Sequence, residues 1–284
     1  MRSHKLVLIL GVTLLAGLFV MYIGCGSDDN KSTDNLADYS DPEFLVVQEE
    51  VGYYVDSTLE FFTNGLGNIY GLATDTVVDP VQYVPGPIDP ATDSISATYN
   101  DGWHVVYIAL NRETFVSILR DSIQFLKDGQ PQQNSTDLDN LIYRHFWTYN
   151  VTDTTVTYKS FVGNANYSFA GLNTSEATIT GTDDFSVHSK YVSTDSTVWR
   201  DININATLND IQVKKAAGGW VHNCPCSGSI TAAIEMVYQK DSAAPDTTSW
   251  TVHLSFDNGN VSTVLTKGEF MWSYDEQICT PPGN

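Results

Sequence analysis

The sequence predicts a mainly β protein: an antiparallel meander, open or closed into a barrel-like sheet (a sandwich is the alternative), with one N-terminal amphipathic helix. Beyond residue 93, apolar and polar residues alternate with a period of two between turn signals, and do so to the end of the chain. Charged residues are only 17% of the chain against 42% hydrophobic, with Ser, Thr and Asn in their place. That is the composition of half-buried strands with hydroxylic outer faces. A single earlier stretch carries a helical period instead.

That stretch spans 42–64. Asp41 caps it, Pro42 suits its first position, Glu43 complements the dipole, and Asn64-Gly65 supplies the stop. Phe44, Val47, Val51, Val55, Thr58, Leu59, Phe62 and Leu66 recur at steps of three and four and form a packing face, while Glu49, Glu50, Asp56 and Glu60 are expected to point away. Gly52 inside the helix costs about 1 kcal/mol relative to Ala, and is expected to mark a close approach by another element. Pro80, Pro85, Pro87 and Pro90 then make a long loop, since proline confines a segment to loop or edge strand.

The strands follow. SISATY and WHVVYIAL flank Asn100-Asp101-Gly102, SWTVHLSF and VSTVLT flank Asp257-Asn258-Gly259-Asn260, and ATLNDIQVKK and WVHN flank Gly218-Gly219, each pair reading as a hairpin. Further strands are expected at 114–119, 121–126, 141–151, 154–162, 166–170, 176–180, 184–192, 197–205, 228–239 and 269–275. The region 111–127 also suits a helix, but Asp128-Gly129 after a β-like run favours two strands. Residues 41–284 thus form one β-rich domain, long enough to bury about 70% of its unfolded surface.

The first forty residues give an address. Arg2, His4 and Lys5 precede an uncharged run from Leu6 to Gly24, which reads as the n-region and h-region of an export signal. Tyr22-Ile23-Gly24-Cys25 resembles the lipobox of bacterial lipoproteins, in which the Cys is lipidated. The resemblance covers those four residues and the hydrophobic run, and this chain has Tyr22 where the family usually has Leu, Val or Ile. It implies that residues 1–24 are a lipoprotein signal peptide, that Cys25 is the lipidation site, and that 25–40 are a flexible tether, too poor in apolar side chains to order. The expected location is the cell envelope, lipid-anchored to the outer membrane or cell surface rather than the inner membrane.

Removal of Arg2 and Lys5 leaves 12 basic residues against 34 acidic ones, a net of −22. Such a surface repels phosphates, so no nucleic acid partner is expected. With Cys25 lipidated, Cys224, Cys226 and Cys279 remain in an oxidising compartment. The favoured reading is a disulfide from Cys279 to Cys224 or Cys226. Strands running up, down, up and down from residue 228 bring the start of the first and the end of the last to one end of a curved or closed sheet. The alternatives are a Cys₃His site of His222, Cys224, Cys226 and Cys279 for zinc or cuprous copper, and a redox-active pair among these cysteines; no other cofactor is expected.

No metalloprotease, nucleophile-elbow, Walker or dinucleotide motif occurs, so no enzyme is expected. His104, His145, His188 and His253 read as strand-face or satisfied core residues, and Asp183-Asp184 and Glu49-Glu50 as solvated acid pairs. The six tryptophans read as cross-strand packing, with some of them, beneath the helix, able to line a site for an apolar ligand. A meander with one helix on a lipid anchor looks like the periplasmic lipoprotein carriers in outline. Three functions are therefore in play: a non-enzymatic lipoprotein binding an apolar ligand or an envelope partner, a structural or surface-display module, and a metal-handling protein.

Overall fold

A computed structural model describes residues 38–60, 89–135, 137–153, 157–193, 195–215 and 224–279. Among these residues one helix, α1 (Pro42–Glu60), precedes twelve strands: β1 (Ser94–Asn100), β2 (Trp103–Arg112), β3 (Phe115–Lys127), β4 (Gln130–Gln132), β5 (Asn140–Asp153), β6 (Thr157–Ala170), β7 (Glu176–Val192), β8 (Thr197–Lys214), β9 (Pro225–Lys240), β10 (Asp246–Asp257), β11 (Asn260–Lys267) and β12 (Phe270–Gln277). All belong to one antiparallel sheet in chain order, with β4 extending the β2 side of β3. Among the described residues the sheet stays open, with β1 and β12 as its two edges. It is a meander, as its local turns dictate, and not a sandwich.

The hairpin turns fall where the sequence places them. Asp101-Gly102 and Asn258-Gly259 both take positive φ, as a two-residue turn matched to strand twist requires. Gly102 has a second reason to be glycine, because a Cβ there would lie 2.6 Å from the Pro131 ring. The Gly218-Gly219 turn, Trp220 and His222 lie outside the described residues, as do 61–88 and the predicted end of the helix.

The expected strands at 114–126, 154–170, 176–192 and 197–215 are each one continuous strand rather than two. In β6 the apparent break at Gly163-Asn164-Ala165 is a run of correct inward and outward positions. Gly163 faces inward and is bare because the Phe161 ring lies over it, 2.8 Å from where a Cβ would stand. In β7 the interruption is a bulge between Ile179 and Gly181, where a Cβ would stand 2.1 Å from the Asn166 carbonyl oxygen. Bulges bend long strands without ending them.

The helix lies across the strands. Its first turn is capped as expected, Asp41 Oδ1 accepting from Glu43 N at 2.8 Å. We expect Asp41→Ala to cost about 1 kcal/mol, visible as a lower urea midpoint at unchanged slope. Phe44 stacks on Trp272 of β12 (centroids 5.1 Å) and Tyr54 on Phe185 of β7 (5.4 Å). Glu43 accepts from Trp250 Nε1 at 3.0 Å and pairs with Lys267, while the Tyr39 hydroxyl both accepts from Ser273 N and donates to Ser273 O on the β12 edge.

Beneath the helix runs one cross-strand row: Asp121, His145, Ala165, Asp183, Ala206, Ala232, Val252, Leu265 and Trp272 are successive register partners from β3 to β12. Its three alanines leave depth for Val47 and Val51, which are buried with Phe44 and Tyr54 in the main core.

Two expectations for α1 are corrected. Gly52 faces open space, with nothing within 4 Å of a Cβ, so no element approaches there. Glu50 does not point away: it is half-buried, burial pushes its carboxyl up, and Lys159 and Arg200 act against that. Glu49 alone of that pair is exposed.

Candidate functional site

The same face of the sheet, adjoining the Tyr54–Phe185 contact of the helix, carries a continuous group of rings from β3, β5, β6 and β7. Tyr149 stacks on Phe161 at 5.2 Å with planes 9° apart, Trp147 lies 4.9 Å from Phe161 and 5.0 Å from Tyr149, and Phe161 lies 5.8 Å from Phe185. Phe115 extends the group to Tyr149. Register explains it: Trp147 is opposite Gly163, and Tyr149 is opposite Phe161, so a large ring repeatedly meets a small neighbour or a parallel ring. Trp147 Nε1 donates to Ser117 Oγ at 3.1 Å, which fixes the indole. Tyr149 and Phe185 are buried, whereas Phe115, Trp147 and Phe161 are half-buried and keep part of their faces accessible.

Next to the rings sits a polar cluster that the sequence reading missed. Asp121 Oδ1 accepts from both Tyr143 Oη (3.0 Å) and His145 Nδ1 (2.5 Å), and Tyr167 Oη donates to Asp183 Oδ2 at 2.8 Å. Burial disfavours the His145 cation, but the Asp121 carboxylate outweighs it and holds the imidazole above its ordinary value. Burial pushes Asp183 up to about 6, with the Tyr167 hydroxyl and His145 acting against the shift. The Tyr167 phenol is pushed far up by burial and the Asp183 charge. Asp183 is therefore not one half of a solvated pair; only Asp184, on the outer face, is exposed. His145 is no lone face residue either. The available signal was register: Asp121, His145 and Asp183 fall in one row only once β3, β5, β6 and β7 are paired, which pattern alone does not supply.

The predicted cysteine site resolves into a bridge. Cys224 and Cys279 are disulfide-bonded with Cα atoms 5.9 Å apart. No closed sheet is needed, because the start of β9 and the residues that follow β12 run past the β10–β11 hairpin and meet across its tip. Asn258 N donates to Cys226 O, Gly259 N to Pro225 O, and Cys279 N to Gly259 O. Among the described residues Cys226 is the free thiol, half-buried, donating to Gln212 O and pushed up by burial. The bridge takes two of the three thiolates that a zinc or copper site would use. Among the described residues no group of three or more His, Cys, Asp or Glu side chains is arranged to hold a metal ion.

Cys25 and residues 1–24 lie outside the described residues, and no described helix is long and apolar enough to cross a membrane. Compared with family models, curated proteins and solved structures, the chain matches none.

Proposed function

We propose that the chain is a non-enzymatic envelope lipoprotein, anchored through lipid on Cys25, whose β-domain binds an apolar ligand on the inner face of its open sheet. The observation that carries the reading is the contiguous Phe115–Tyr149–Phe161–Trp147 group, in which the half-buried Phe115, Trp147 and Phe161 rings surround the buried Tyr149 near a polar cluster. Apolar sites with a few convergent polar groups are the usual form of small-molecule recognition. The export signal and the Cys that follows it supply the address.

One experiment tests both halves. In native mass spectrometry of the full chain purified from a bacterial membrane, with solvent extraction of what it carries, we expect a chain starting at Cys25 with added lipid mass. We also expect a co-purifying apolar molecule that Phe161→Ala reduces about tenfold, the loss of roughly 1.4 kcal/mol from a stacked ring. A chain that retains Met1 and carries nothing would overturn the proposal. An envelope protein captured in place of a small molecule would replace the ligand by a partner.

A further inference from the structure

The two edges that the sheet has among the described residues are treated differently. On β12 the Tyr39 hydroxyl occupies both backbone groups of Ser273, and Asp275 and Glu276 add charge, two recognised ways of blocking strand addition. On β1, Ser94–Asn100 (SISATYN), there is no charge, no proline and no bulge in the pairing with β2, and six of its seven residues are exposed. In a chain with 34 acidic residues, a seven-residue uncharged edge is a place where two copies can approach without opposing carboxylates.

We infer that β1 is a self-pairing edge, joining two copies of this chain antiparallel about a two-fold axis at Ala97. The backbone parity fits. The two-residue Asp101-Gly102 hairpin closes on a hydrogen-bonded Asn100–Trp103 pair, so alternation turns the N–H and C=O of Ile95, Ala97 and Tyr99 outward. Centring on Ala97 pairs all seven residues. Ala97 exchanges both its hydrogen bonds with the partner's Ala97, and Ile95 does so with the partner's Tyr99, a β-branched and aromatic cross-strand pair. On the other face Ser96 stands opposite the partner's Thr98. The surface is self-complementary, as a two-fold contact requires. Asp93, next to the strand, is turned inward onto Asn111 N and Arg112, which keeps its carboxylate out of the contact.

The test uses the full chain in membranes and in detergent. Ala97→Cys, in a Cys226→Ser background, is expected to form an intermolecular disulfide under mild oxidation, since hydrogen-bonded antiparallel partners have Cα atoms about 5.5 Å apart. Ser96→Cys is expected to form none. Sedimentation velocity of the unaltered chain is expected to show a dimer, and Ala97→Pro a monomer with an unchanged far-ultraviolet spectrum. The inference is overturned by a monomeric unaltered chain, by equal cross-linking at 96 and 97, or by a dimer that survives Ala97→Pro. Ligand extraction from the monomeric variant keeps this outcome separate from that of the binding proposal.

Discussion

Replacing Cys224 and Cys279 together by Ser is expected to lower stability by about 4 kcal/mol, the chain-entropy value for the 55-residue separation the bridge closes. For a domain of this size, that corresponds to a melting temperature lower by roughly 8–16 °C. The bridge joins strands that are not neighbours, so no ladder of backbone bonds substitutes for it. Among the described residues, the turn contacts of Asn258 and Gly259 link the start of β9 to the end of β12. Cys226→Ser is the control and is expected to leave the melting temperature nearly unchanged, because that thiol makes a single weak bond to Gln212 O. Equal losses in both variants would show the wrong cysteines paired.

The second large effect is on pH. A carboxyl at about 6 in the folded chain against 3.8 when free corresponds to on the order of 3 kcal/mol in favour of the protonated fold. Because the folded value is the higher one, Asp183 binds its proton more tightly folded than unfolded. Stability therefore grows as pH falls through 6 towards 4, and this contribution is absent above 6. His145, also raised, has the same sign: its contribution is present below 6.5 and is lost as pH rises through its folded value.

Glu43 opposes them. Burial pushes it up, but hydrogen bonds from Lys267, Thr248 and Trp250 outweigh this and hold it below 4.5, so its contribution disappears in stronger acid. The melting temperature is accordingly expected to peak between about pH 4.5 and 6 and to fall by several degrees at pH 8. Asp183→Asn keeps an acceptor for the Tyr167 hydroxyl and removes the charge. It is expected to raise stability at pH 8 and flatten the profile between pH 5 and 8. A profile unaltered in that variant would assign the pH dependence to groups other than Asp183.

Much of the fold was legible because it is local. Asp101-Gly102, Asn258-Gly259 and the alternation around them specify hairpins without reference to anything distant, and Asp41-Pro42 specifies a helix start. Strand length was not legible. Gly163, Ala165 and Gly181 resemble breaks, and only the rings and carbonyls pressed against them show why side chains are absent there. The site was hidden for a related reason. Asp121, His145 and Asp183 are separated by 24 and 38 positions in the chain and meet through register, a property of pairs of strands. The cysteines were half legible: spacing and strand direction brought Cys279 to the Cys224–Cys226 end, but choosing Cys224 required the overshoot of β9.

The fastening of α1 also sets how the domain responds to force. Whatever precedes Asp38 enters at the β12 edge, where Trp272 Nε1 donates to Asp38 O and Tyr39 grips Ser273. The helix then runs across the strands rather than along them. A pull on residue 38 therefore meets its contacts one after another: Tyr39, then Glu43 on Trp250 and Lys267, then Phe44 on Trp272. That is peeling, the geometry of least mechanical resistance, while the Cys224–Cys279 bridge holds the end of β12 to the middle of the sheet. Tension applied at residue 38 would strip the helix from its first turn inward and bare the inner face of a sheet that itself stays whole.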